Sequence, residues 1–90
     1  MKTIDFNIIR ATLLLSRLKG DAKITVGELA KWTGASKSSA RRSVEKLVKN
    51  GALGFTEFNK GKLVCRSYHL TPSIGLPIAQ ELRQLWEGTL

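Results

Sequence analysis

Two helical patterns between residues 25 and 50 are joined by only three or four residues, and that joint restricts the fold more than any other feature. The first pattern opens at Ile24-Thr25-Val26, where Thr25 is followed three residues later by Glu28, the spacing of a capping box. Gly27 to Thr33 carries Leu29, Ala30 and Trp32 as apolar positions, and Gly34 stops it. The second pattern starts after Ser36, whose hydroxyl can accept from a free amide of the first turn. It runs from Lys37 to Lys49 and ends at Asn50-Gly51. Ala40, Val44 and Leu47 fall at i, i+4 and i+7 and form a buried stripe. Two helices separated by so short a glycine-bearing turn are the sequence signature of a helix-turn-helix.

The flanking segments supply what such a pair must pack against. Asp5 is a good N-cap before a helical run to about Lys19, with Gly20 as the stop. Ile8, Ala11, Leu15 and Leu18 share one face of it, with Ile9 and Leu13 beside them, so the apolar face is wide. After the helix pair, Leu53 to Phe58 and Leu63 to Leu70 are β-prone and flank Asn59-Lys60-Gly61-Lys62, a turn whose glycine can take positive φ. Such a hairpin is not stable alone and must lie on the helices. Ile24 is a candidate for a single strand residue. A last helix spans about 77–87: Pro77 suits its first turn, Ile78, Leu82 and Leu85 line one face, and Trp86 is adjacent.

Charge then narrows the function. The chain has 90 residues with 15 Lys and Arg against 7 Asp and Glu, a net charge of +8. One domain over residues 1–90 is expected at this length, too small for a cleft between two lobes. Lys31, Lys37, Arg41, Arg42, Lys46, Lys49, Lys60, Lys62 and Arg66 face only Glu45 and Glu57 in the stretch 31–66, which therefore holds nearly all the excess charge. Clustering of one sign points to a polyanion, nucleic acid above all. With one cysteine, Cys65, and one histidine, His69, no metal site of ordinary ligand count can form, and Cys65 reads as a small buried hydrophobe. Trp32 and Trp86 read as core or interface residues. The carboxylates show no pairing suited to acid–base work, and Gly20, Gly27, Gly34 and Gly51 sit at element boundaries rather than in a phosphate-cradling loop. An enzyme is not expected, nor a cofactor, a small-molecule ligand or a membrane contact. The N-terminus lacks a signal-peptide layout, and a cytoplasmic protein is expected.

Three stretches carry a resemblance. Glu28-Leu29-Ala30 leads into Gly34-Ala35-Ser36-Lys37-Ser38-Ser39-Ala40-Arg41-Arg42. Val44 to Leu53 reads VEKLVKNGAL. Tyr68-His69-Leu70-Thr71-Pro72 is followed by Gly75. In this order, over about residues 24–76, they resemble the winged helix-turn-helix of prokaryotic and viral transcriptional regulators, in particular MarR-like and PadR-like groups. Ala35 and Ala40 are smaller than the aliphatics common at those positions. The resemblance implies an α+β, mainly α fold: a three-helix core, a helix-turn-helix over about 25–50, a wing over about 53–70, and a C-terminal helix.

It also implies a sequence-specific regulator of transcription bound to double-stranded DNA, acting as a repressor. The helix over 37–49 would read the major groove. Arg41 and Arg42 are the base-reading candidates, since guanidinium can pair bidentately with guanine. Ser38 and Ser39 are short donors, while Ser36 and Lys37 lie where the helix start favours phosphate. Lys60, Lys62 and Arg66 would let the wing track the backbone or enter the minor groove. The alternatives for these residues are a solvated helix face in which Arg41 and Arg42 pair with Glu45, and a strand edge protected by charge. Ile8, Leu15, Ile78, Leu82, Leu85 and Trp86 are the candidate homodimer interface, or else they complete the core. A protein-interaction or assembly module and a general nucleic-acid binder in replication or recombination are the competing functions.

Overall fold

A helix that reaches nearly every other element organises the fold. In the computed structural model, residues 2–20 and 23–88 are described, apart from the side chains of Lys19 and residues 83–88. The elements are α1 (Thr3–Lys19), α2 (Val26–Thr33), α3 (Lys37–Lys49), β1 (Leu53–Lys60), β2 (Leu63–Leu70) and α4 (Gly75–Gly88). α1 touches α2, α3, α4 and β2. Its wide apolar face explains this reach: Ile8, Ile9, Ala11, Leu13 and Leu15 are all buried. Thr12, buried among them, donates its hydroxyl to the Ile8 carbonyl at 2.7 Å, so it leaves no unmet polar group. Ile24 just before α2, Leu29 and Ala30 of α2, Ala40, Val44 and Leu47 of α3, and Ala52, Leu53, Tyr68 and Ala79 complete the core.

α2 and α3 form the expected helix-turn-helix. Thr25 caps α2 by accepting from the Glu28 amide at 3.4 Å. Gly34 ends it with φ of 73°, a left-handed conformation that glycine adopts without steric cost. Only Ala35 and Ser36 then precede α3.

β1 and β2 pair antiparallel from Leu53↔Leu70 to Lys60↔Leu63. The turn is tighter than the four residues expected, since β1 continues through Asn59 and Lys60 and leaves Gly61-Lys62 as the loop. Gly61 has φ of 64° and Lys62 does not share its sign. Positive φ at the first of two central residues is the requirement of a type II′ hairpin turn. Phe55 and Tyr68, directly opposite, meet with their rings inclined at 58° and the centroids 6.1 Å apart. Ile24 is joined to the outer side of β2: the Tyr68 amide donates to its carbonyl at 2.9 Å, and its own amide donates to the Ser67 hydroxyl at 3.0 Å.

Several expectations are corrected. Asp5 is not the N-cap of α1, which begins two residues earlier with Lys2 as cap. Asp5 lies in the first turn and accepts from the Lys2 amide at 3.0 Å. Leu18, placed on the apolar face by its spacing, is 69% exposed. Of the two places expected for Trp32, core or interface, the core is ruled out: the residue is 49% exposed on the outer side of α2. α4 starts at Gly75, two residues before Pro77.

Candidate nucleic-acid interface

α3 presents its polar side as a continuous cationic face. Lys37, Ser38, Ser39, Arg41, Arg42, Glu45, Lys46 and Lys49 are all exposed, while Ala40, Ser43, Val44 and Leu47 face inward. The helix start is fixed by its own serines. The Ser39 amide donates to the Ser36 hydroxyl at 3.2 Å, and that hydroxyl donates to the Ser39 oxygen at 2.9 Å. The Ser39 proton remains available for an outside acceptor. Among the described residues, Arg41 and Arg42 form no ion pair, with Glu45 or any other carboxylate. Their guanidinium groups stand in solvent at the N-terminal half of the helix, the end that faces base edges when such a helix enters a major groove.

The hairpin closes a groove against this face. Lys37, Arg41 and Glu45 of α3, Val64 and Arg66 of β2 and the start of α2 at Thr25, Val26 and Gly27 line it together. Arg66 is held rather than loose. Its guanidinium carbon lies 4.2 Å from the centroid of the Phe55 ring, a cation–π contact that fixes where the charge sits. Lys60, at the end of β1, and Lys62, in the turn, are exposed. The structure thus brings Lys37, Arg41 and Arg66 to one groove, with Arg42 and Ser38 on the adjoining helix surface.

Three features were not foreseen. A second depression on the other face of the hairpin is lined by Lys23, Lys31 and Lys60 with Phe58 and Cys65, and the Lys23 ammonium lies 5.4 Å from the Phe58 centroid. Lys23 falls outside the charge-rich stretch in sequence and enters it only through the fold. The second feature is Asp5. Its side chain, 1% exposed, accepts from the Ser43 hydroxyl at 2.6 Å and the Lys46 ammonium at 2.7 Å. Burial pushes this carboxyl's pKa up, but the hydrogen bonds from Lys46, Ser43 and the Lys2 amide outweigh it and hold the group below the ordinary carboxylate value. Lys46 is therefore turned toward α1. The third is His69, whose ring lies against Gly54, its cross-strand partner, where a Cβ would meet the ring nitrogen at 2.6 Å.

The candidate interface residues between copies divide. Ile8 and Leu15 are fully buried in the core of the chain itself, so this fold does not present them to a partner. Ile78 and Leu82 are half-buried against that core. The side chains of Leu85 and Trp86 lie outside the described residues. Cys65 is half-buried on β2, opposite Phe58. No group of His, Cys, Asp and Glu among the described residues could hold a metal ion. Nor is any described helix long and apolar enough to cross a membrane.

By sequence, the chain matches no family model and no curated protein. Its fold is similar to that of solved transcriptional regulators. The adhesin competence repressor of Streptococcus pyogenes is 25% identical, with a TM-score of 0.77 over 99% of this chain and 60% of that one. A zinc-responsive MarR family member of Lactococcus lactis is 16% identical, with a TM-score of 0.75 over 99% of this chain and 56% of that one. A possible transcriptional regulator of Methanosarcina mazei is 23% identical, with a TM-score of 0.67 over 99% of this chain and 72% of that one. The chain spans about three fifths of the length of the first two. The winged helix-turn-helix fold is thereby shown.

Proposed function

We propose that this chain binds double-stranded DNA and regulates transcription, as a repressor that occupies its site. The observation that carries the reading is the groove between α3 and β2, where Lys37, Arg41 and Arg66 converge on the exposed start of a helix-turn-helix's second helix. An α-helix fits the major groove of B-form DNA, whereas the deep, narrow major groove of A-form RNA excludes side chains. Arg41 and Arg42 read bases, Ser36 and Lys37 meet phosphate at the helix start, Ser38 and Ser39 reach bases or phosphates, and Lys60, Lys62 and Arg66 let the wing track the backbone or enter the minor groove. Catalysis has no part in this reading, and neither does a cofactor. The resemblance to regulators supports it, including a Bordetella bronchiseptica protein whose DNA binding is regulated by 6-hydroxynicotinic acid.

We also propose a homodimer through α4, with Ile78 and Leu82 continued by Leu85 and Trp86, since one helix-turn-helix reads only half of a two-fold site. Selection from a random 30-bp duplex pool tests the main reading. Wild type should enrich a defined sequence, and Arg41→Ala/Arg42→Ala should enrich none. Equal enrichment by both proteins would remove these residues from base reading.

A further inference from the structure

We propose that the tip of the wing is an apolar wedge for the minor groove: Leu63, with Val64 beside it, presses against a base step and bends the duplex held by α3. This rests on the DNA-binding reading above. Leu63 and Val64 are 69% and 64% exposed, consecutive, and at the first two positions after the turn. Strand alternation directs them to opposite faces, so the tip is apolar on both sides. A hairpin end in water is ordinarily polar, because the turn and the strand ends meet solvent. Both residues stand largely in solvent.

The surroundings identify the occupant. Lys60 lies directly opposite Leu63, Lys62 precedes it, and Arg66 shares a face with Val64. An aliphatic point between cations matches a minor groove, where sugar edges and base faces lie between two rows of phosphates. Val64 also lines the groove shared with Lys37 and Arg41, so the tip projects from the same side as the recognition surface. The two-residue turn at Gly61-Lys62 keeps the tip narrow. Leu and Ile are among the residues that minor-groove proteins insert between base steps, with bends of about 20–90° toward the major groove.

The test uses a 30-bp duplex recovered by the selection above, with a donor and an acceptor fluorophore at its ends. Wild type should raise energy transfer between the ends at saturation. Leu63→Thr/Val64→Thr, which keeps β-prone residues at exposed positions, should still bind, weaker by about tenfold or less, with the rise in transfer at least halved. Lys60→Ala/Lys62→Ala should bind more weakly yet produce the full rise once saturated. Binding by wild type without a rise would overturn the wedge and leave the DNA reading standing. An unchanged rise in the threonine variant would do the same. Failure to recover any enriched duplex would overturn the DNA reading, and the wedge with it.

Discussion

Asp5 ties the first turn of α1 to the middle of α3, and the tie is a buried carboxylate with three donors. A buried charge is tolerated only when its hydrogen bonds replace those of water. Asp5→Asn should therefore cost about 1–3 kcal/mol, at the lower end because Lys46 is half exposed and can turn to solvent. Urea unfolding of the two proteins measures it. The pH dependence has a definite sign. The folded carboxyl titrates below its unfolded value, so its contribution is complete above that value, near 3.8, and is lost as the pH falls toward the folded one. Wild type should lose part of its advantage over Asp5→Asn below about pH 4, and parallel stability curves there would contradict the assignment. None of this was legible in the sequence. An acidic residue near a helix start reads as a cap, and its partners Ser43 and Lys46 are 38 and 41 residues away. Arg41 and Arg42 were legible, because an exposed face of α3 follows from where its apolar stripe lies.

Among the elements, the junction from β2 to α4 explains the third of the sequence stretches that resemble regulators. Thr71 donates its hydroxyl to the Gly51 carbonyl at 2.6 Å and accepts from the Gly75 amide at 2.9 Å, while its own amide donates to the Ala52 carbonyl at 3.1 Å. One threonine thus joins the end of α3, the start of β1 and the first turn of α4. Gly75 has no positive φ; it is needed for room. A Cβ there would collide with the Ala52 carbonyl oxygen, which is backbone and cannot step aside. Gly75→Ala should destabilise the chain by about 1–3 kcal/mol in urea unfolding. Wild-type stability in that variant would mean that α4 can shift away at no cost. The helix-turn-helix was readable because its signals are local: the Thr25 and Ser36 caps and Gly34 between them. β2 was readable over its whole length and β1 short by two residues, since Asn59 and Lys60 have turn-like identities and only the pairing with Leu63 and Val64 draws them into β1. The place of Lys23 beside Phe58 was not readable, since it depends on how the hairpin packs, and neither was the exposure of Trp32, which depends on which side α2 turns to the core.

For the whole molecule, the fold divides a charge-rich stretch of sequence between the groove at α3 and the far face of the hairpin, and leaves α4 with partly covered apolar residues. Sedimentation of wild type at about twice the 9.9 kDa chain mass would support pairing of two copies through α4, and Trp86→Ala should shift it toward the monomer. A monomer at all concentrations would leave Ile78 and Leu82 as core residues only. In the proposed function, the α3 and wing surface holds the phosphate backbone of duplex DNA. This is tested most directly by duplex binding across a salt series for wild type, Arg41→Ala/Arg42→Ala and Lys60→Ala/Lys62→Ala. Each neutralised phosphate contributes about −0.9 to the slope of log affinity against log salt. Wild type should show a steep slope. The wing variant should flatten it by as much as about 1.8, with affinity lost uniformly across sequences. The arginine variant should lose sequence preference as well as affinity. No binding at low salt, or slopes identical in all three proteins, would contradict the account.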